Sequence, residues 1–133
     1  MKKIAVYGSL KKGMYNHSLL ENPGAQFIGT EDLTIPFKMV PYSSFPALIP
    51  NDTDTTVHME IYDVDDTVYR RVEHLEGYPH FYDKATTVLP DGDVVEFYVI
   101  PDTSRRLQQR YADEHGIYNW NEYYKQHFDN NIF

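Results

Sequence analysis

The chain has 133 residues, which suits one compact domain, and 41% of them are hydrophobic and 15% aromatic, enough to form a buried core. Twenty acidic residues against twelve basic ones give a formal net charge of −8, which repels nucleic acid and anionic membranes and argues against both as partners. The absence of cysteine excludes disulfides, thiolate catalysis and zinc–sulfur sites.

Strand signals dominate the first half of the chain. Residues 14–20 can form one or two helical turns before Asn22-Pro23-Gly24 breaks them, and residues 45–50 are a short apolar piece with a proline near each end. The predicted strands are residues 3–7, which end at Gly8; residues 26–40, which bend at Pro36; and residues 55–64, whose alternation places Val57, Met59 and Ile61 on one face.

The second half opens with a predicted helix. Asp65 or Asp66 can cap it, and Gly77 is a natural C-terminal stop. Its core face is predicted to hold Val68, Val72 and Leu75, at i, i+4 and i+7. Further predicted elements are strands at residues 85–89 and 93–100, joined by Pro90-Asp91-Gly92, and helices at residues 105–114 and 120–128.

These elements predict an α+β fold, a small mixed, mostly antiparallel sheet or barrel with flanking short helices. We expect a single domain over residues 1–133, with residues 103–133 as a helical C-terminal tail packed on it. Residues 1–20 lack the apolar stretch of a secretory signal, and no segment approaches the length of a membrane span. We therefore expect a cytoplasmic protein.

The loop after the first strand, within AVYGSLKKGMYNH at residues 5–17, has the spacing of a phosphate-binding loop but not its chemistry. Gly8 and Gly13 match G-x-x-x-x-G, but Met14-Tyr15 stands where lysine and Ser/Thr would contact phosphate and magnesium. Backbone N–H groups at such a turn can hold a carboxylate or an oxyanion. A plain turn explains the same glycine, and both interpretations stay open. Ser9 lacks the G-x-S-x-G surroundings of a hydrolase nucleophile.

A second stretch, HLEGYPHFY at residues 74–82, places Glu76 at the end of the predicted helix, where the helix dipole disfavours a carboxylate. If Glu76 also faces apolar side chains such as Phe81 or Tyr82, its pKa rises and it becomes a usable general acid/base near neutral pH. A solvated glutamate at a helix end is the alternative. The six histidines show no metal-ligand spacing, so we expect no metal site.

Five motifs occur in a characteristic order over nearly the whole chain. They are Val6-Tyr7-Gly8-Ser9-Leu10 with Lys11-Lys12-Gly13 and Asn16-His17; Phe45-Pro46-Ala47-Leu48; Glu60-Ile61-Tyr62-Asp63-Val64; Leu75-Glu76-Gly77-Tyr78-Pro79 with Tyr82; and Trp120-Asn121-Glu122-Tyr123. Together they resemble the gamma-glutamylcyclotransferase-like family, in particular its gamma-glutamylamine cyclotransferase branch.

The resemblance implies a cofactor-independent enzyme on a small mixed β-barrel, which converts a γ-glutamyl amine or γ-glutamyl amino acid to 5-oxoproline and free amine. It implies Glu76 as the general acid/base, with Tyr7, Gly8, Ser9 and Leu10 binding the substrate and Tyr82 hydrogen-bonding near Glu76 or the substrate. No metal is implied.

Departures from the family pattern leave the leaving group open: Lys84 stands where many members carry arginine, and Phe45 where they carry tyrosine. Three other interpretations remain. One is an enzyme that removes a γ-glutamyl protecting group in a biosynthetic pathway, and another is a non-catalytic small-ligand binding or regulatory module on the same fold. The third is an interaction protein that uses the acidic, aromatic segment 111–128.

Overall fold

One five-stranded sheet and two α-helices dominate the computed structural model, which describes residues 1–101 and 113–128. In chain order the elements are β1 (Lys2–Val6), a 3₁₀ helix (His17–Leu20), β2 (Ala25–Pro41), β3 (Pro46–Val64), α1 (Asp66–Glu76), β4 (Asp83–Val88), β5 (Val94–Val99) and α2 (Trp120–His127). No helix among the described residues is long and apolar enough to cross a membrane.

The sheet has the strand order β2-β3-β1-β5-β4, and every neighbouring pair is antiparallel except β1 and β5, which run parallel. The predicted α+β class is thus confirmed. The order has two free ends, β2 and β4, so the sheet is open and the term barrel fits it only loosely. Just beyond β5, the Ile100 N–H donates to the Leu48 carbonyl at 2.9 Å, which brings this part of the chain to the first half of β3.

The strands β2 and β3 form one long hairpin of 17 and 19 residues. The bend predicted at Pro36 is a shift of register between Ile35 and Phe37, because proline has no N–H to donate to the ladder. The sequence predicts a short apolar piece at residues 45–50 and a separate strand at residues 55–64. In the structure, residues 46–64 form the single strand β3.

The helix α1 matches its prediction closely. The Asp65 side chain caps it by accepting from the Val68 N–H at 2.9 Å, and Gly77 ends it in the left-handed conformation with φ +65°. Val68 and Val72 are fully buried, as predicted. The prediction that Leu75 joins the core is wrong: Leu75 is 40% exposed. The last turn of the helix extends beyond the core, and Leu75 lies at the rim of a pocket.

Residues 113–128 pack on the other side of the sheet. The Ile117 N–H donates to the Met39 carbonyl at 2.9 Å, and the fully buried Trp120 joins a cluster that includes Met59 and Phe97. The helix predicted at residues 120–128 is confirmed at Trp120–His127. The helix predicted at residues 105–114 lies outside the described residues, apart from residues 113 and 114, which are not helical.

Candidate active site

A pocket of about 200 Å³ opens at the C-terminal end of β1. All six residues predicted for a site line it: Tyr7, Gly8, Ser9, Leu10, Glu76 and Tyr82. The lining also includes four residues that no sequence signal marks as site residues: Tyr15, Asn16, Leu75 and Tyr98. The pocket therefore joins the first loop, the end of α1 and the segment that follows it.

Glu76 is the last residue of α1, and the chain folds back over it. The Phe81 N–H donates to the Gly77 carbonyl at 2.8 Å, so that Phe81 and Tyr82 return to the pocket beside Glu76. Burial among these side chains raises the pKa of Glu76 to about 7. No hydrogen-bond donor within residues 1–101 and 113–128 engages its carboxyl group. Glu76 can therefore take up and release a proton near neutral pH.

The opposite wall of the pocket is the loop that begins at Gly8. A Cβ atom on Gly8 would lie 2.7 Å from Pro46 Cγ, so only glycine fits there, and the reason is close packing rather than a positive φ. The loop closes with the Lys11 N–H donating to the Gly8 carbonyl at 3.0 Å. In the described part of the chain, the N–H groups of residues 8–10 have no acceptor, which leaves them available to an anion.

Buried polar contacts fix this loop from behind. Glu60, which is 6% exposed, accepts from the Lys12 N–H at 3.0 Å and from the Tyr62 hydroxyl at 2.9 Å. Lys11 is 2% exposed, and its Nζ donates to Asn119 Oδ1 at 3.2 Å. Burial lowers the pKa of Lys11. Both loop lysines thus lie outside the pocket lining. Glu60, which the sequence marks only as part of a strand motif, supports the loop through its hydrogen bond from Lys12.

Smaller contacts hold the two ends of the loop. The Asn16 side chain donates to Ser9 Oγ at 3.0 Å, and His17 Nδ1 lies 2.8 Å from the Leu10 carbonyl. His80, in the stretch of residues 74–82, is exposed and does not line the pocket. Ser9 is therefore a positioned hydroxyl, and no basic side chain in the described part of the chain hydrogen-bonds to it.

Three tyrosines form the floor of the pocket. The Tyr82 hydroxyl donates to the Pro46 carbonyl and the Tyr7 hydroxyl to the Tyr98 carbonyl, both at 2.6 Å. Burial raises the pKa of all three phenols. The Tyr98 hydroxyl is buried and has no hydrogen-bond partner among the described residues. Tyr82 is thus tied to the backbone of Pro46 rather than to Glu76.

Comparison with known proteins identifies the family. The family model described as "Gamma-glutamyl cyclotransferase, AIG2-like" matches residues 4–122. The chain belongs to this family. A Methanocaldococcus jannaschii protein named "Putative gamma-glutamylcyclotransferase" is 32% identical over 123 residues, which cover 87% of this chain and all of that protein.

Solved structures agree with the family assignment. The crystal structure of an AIG2-like protein from Mus musculus is 26% identical, with a TM-score of 0.66 over 80% of this chain and 82% of that one. An uncharacterized protein from Pyrococcus horikoshii shares the fold at 21% identity, with a TM-score of 0.69 over 97% of this chain and 98% of that one.

Within this gamma-glutamylcyclotransferase-like chain, Lys84 lies beside the pocket rather than in its lining. Its Nζ pairs with Glu73, donates to the Tyr69 hydroxyl at 2.6 Å and lies 4.0 Å from the centre of the Tyr78 ring. These contacts attach β4 to α1 through Tyr69 and Glu73. Lys84 therefore positions the helix that carries Glu76, and its own charge is already paired.

Proposed function

We propose that the protein is a gamma-glutamylcyclotransferase that converts a γ-glutamyl amine or γ-glutamyl amino acid to 5-oxoproline and free amine. The proposal rests on one observation above all. Glu76, with a pKa of about 7, faces a pocket whose opposite wall offers the N–H groups of residues 8–10, which have no acceptor among residues 1–101 and 113–128. A proton acceptor and an anion cradle are the two parts that this cyclisation needs.

The reaction starts at the substrate's own α-ammonium group. The Glu76 carboxylate accepts one proton from it, and the free amine attacks the γ-carbonyl carbon of the same molecule. The new N–C bond closes the five-membered ring and places negative charge on the former carbonyl oxygen. Backbone N–H groups of residues 8–10 stabilise that oxyanion or hold the substrate carboxylate.

Collapse of the tetrahedral intermediate then breaks the amide bond to the leaving nitrogen. The Glu76 carboxyl group returns its proton to this nitrogen, which departs as the free amine. The carboxylate then takes the second proton from the ring nitrogen, which leaves a neutral lactam, and passes that proton to the departing amine or to solvent. No water is consumed, and the glutamate ends the cycle ionised as it began. Because the nucleophile belongs to the substrate, the pocket contributes mainly by folding the substrate into the ring-closing geometry, where proximity can supply about 7–11 kcal/mol.

The proposal is tested by a substrate panel. Purified protein is incubated with γ-glutamyl amino acids, γ-glutamyl-ε-lysine and glutathione, and 5-oxoproline is measured by mass spectrometry. Glu76→Gln is assayed beside the wild type, with Glu122→Gln, an exposed glutamate on α2, as the matched control.

We expect product from the wild type and from Glu122→Gln, and a loss of about 10²–10⁴-fold in Glu76→Gln with binding retained. If no substrate is turned over but calorimetry detects binding, the protein is a binding module. If Glu76→Gln keeps full turnover, the assignment of the general acid/base is wrong.

A further inference from the structure

A second cavity borders the candidate active site. It is a groove of about 500 Å³ between the 3₁₀ helix and the outer side of α1, lined by Leu19, Arg70, Arg71, His74 and Leu75. Leu75 lines both cavities, so the side chain that forms the rim of the pocket is also the near wall of the groove. The two cavities are therefore neighbours on either side of Leu75.

The pocket is small for a whole γ-glutamyl compound. At about 200 Å³ it lies below the range of roughly 300–1,000 Å³ that encloses a drug-sized ligand. It suits the γ-glutamyl group, and the leaving group must then extend past the rim. The groove is larger than the pocket and begins at that rim.

The charge of the groove is opposite to that of the protein. Arg70, Arg71 and His74 occupy neighbouring positions on one face of α1, since residues three and four apart on a helix lie side by side. No carboxylate in the described part of the chain forms an ion pair with Arg70 or Arg71, although the chain carries a net charge of −8. Unpaired arginines on an acidic protein are available to an external carboxylate.

The floor of the groove is apolar. Leu75 remains 40% exposed although its spacing in the helix matches that of the buried Val68 and Val72. With the partly buried Leu19 it gives the groove an aliphatic part of its lining, beside Arg70 and Arg71. An amphipathic group therefore fits the groove better than a purely charged or a purely apolar one.

We propose that this groove is the leaving-group subsite, and that it selects γ-glutamyl compounds whose leaving amine carries both an apolar side chain and a carboxylate. The inference rests on the cyclotransferase activity proposed above. Arg71 and Arg70 bind the carboxylate, and Leu19 and Leu75 contact the side chain. The remaining rim of the pocket includes the aromatic side chains of Tyr15, Phe45 and Phe81, and no lysine or arginine of the described residues lines it.

Two substrates that differ only in the carboxylate test the subsite: γ-glutamyl-leucine and γ-glutamyl-isopentylamine. The kcat/KM for 5-oxoproline release is measured for both at low ionic strength. We expect the wild type to favour the acid by about fivefold, the scale of one or two solvent-accessible charge contacts. Arg71→Glu should bring that ratio to one or below, whereas Lys125→Glu, the same charge reversal on the exposed side of α2, should leave the ratio as in the wild type.

Salt gives an independent readout. Raising the ionic strength to about 0.5 M should remove most of the preference for the acid, because exposed charges are screened. Equal turnover of the two substrates by the wild type, or an unchanged ratio in Arg71→Glu, would overturn the subsite while leaving the cyclotransferase intact. Turnover of neither, nor of any panel member, would overturn both.

Discussion

Gly8 and Pro46 are in direct contact, so that a methyl group on Gly8 would lie 2.7 Å from Pro46 Cγ and 2.8 Å from Pro46 Cδ. The same proline accepts the Tyr82 hydroxyl through its carbonyl at 2.6 Å. The contact thus couples the loop that begins at Gly8 to the segment that covers Glu76. The pocket keeps its shape only while the loop backbone can approach the proline ring this closely.

Gly8→Ala should therefore damage both stability and function. The proline ring cannot rotate away, so we expect a loss of about 1–3 kcal/mol in the free energy of unfolding, as for other overpacked sites. Urea unfolding monitored by fluorescence measures this. An unchanged midpoint would mean that Pro46 moves freely, and the coupling to Tyr82 would then be refuted.

The pH dependence of turnover should report Glu76. Burial raises its pKa from the ordinary 4.5 to about 7, and the proposed mechanism needs the carboxylate in the free enzyme. We expect kcat/KM to fall about tenfold for each pH unit below 7. A profile from about pH 3.5 to 9 measures this. A fall that begins only near 4.5 would show that the active base is an ordinary solvated carboxylate.

The same raised pKa predicts how stability depends on pH. Between about pH 4.5 and 7, the folded state keeps a proton on Glu76 that the unfolded state has lost. The contribution of this group to stability is therefore present below pH 4.5 and is lost as the pH rises through 7. A change from 4.5 to about 7 corresponds to at most roughly 3 kcal/mol.

Glu76→Gln should consequently be more stable than the wild type at pH 8 and about equally stable at pH 4.5. Chemical denaturation at the two pH values measures this, with Glu122→Gln as the exposed control. Equal stabilities of wild type and Glu76→Gln at pH 8 would contradict the burial of the carboxylate. A variant that is more stable than the wild type at pH 8 would show that the Glu76 carboxylate lowers the stability of the fold, as expected of a residue kept for function.

Tyr98→Phe should also stabilise the protein. The Tyr98 hydroxyl is buried without a partner in the described part of the chain, and burying such a group costs about 1–3 kcal/mol. Removing it leaves the ring contacts with Tyr78 and Tyr82 in place. We expect a gain of about 1 kcal/mol in the free energy of unfolding, measured by thermal or urea denaturation. A loss of stability would reveal a hydrogen bond to this hydroxyl.

Local signals in the sequence were enough to predict α1 and the β4–β5 hairpin. An N-cap, a C-terminal glycine and a tight turn each depend on only a few neighbouring residues. Residues 51–54, Asn-Asp-Thr-Asp, resemble a turn in isolation, yet they continue β3. Pro50 pairs with Phe37 and Thr55 pairs with Ile35 on β2, so residues 51–54 lie between two paired segments, and the pairing on either side overrides their local propensity. The length of β3 was therefore not predictable from its own residues.

In the candidate site, too, some residues could be predicted from the sequence and others could not. Glu76 and Gly8 stand out because each conflicts with its surroundings, a carboxylate at a helix end and a glycine that interrupts an apolar run. Tyr98 has no such signal, since an aromatic residue in an apolar strand is ordinary core material. The parallel pairing of β1 with β5 brings Tyr98 beneath Tyr7, and that pairing joins segments about ninety residues apart.

Trp120 decides between two roles of the C-terminal segment. It is fully buried in a cluster with Met39, Met59 and Phe97, so it stabilises the sheet and is not available to a partner. Trp120→Ala should cost about 3–5 kcal/mol, as for other buried tryptophans. Tyr118→Ala is the neighbouring control, because Tyr118 is 45% exposed and its loss should cost about 1 kcal/mol or less. If Trp120→Ala left the urea midpoint unchanged, this segment would not be part of the core, and its aromatic residues would again be candidates for a binding surface.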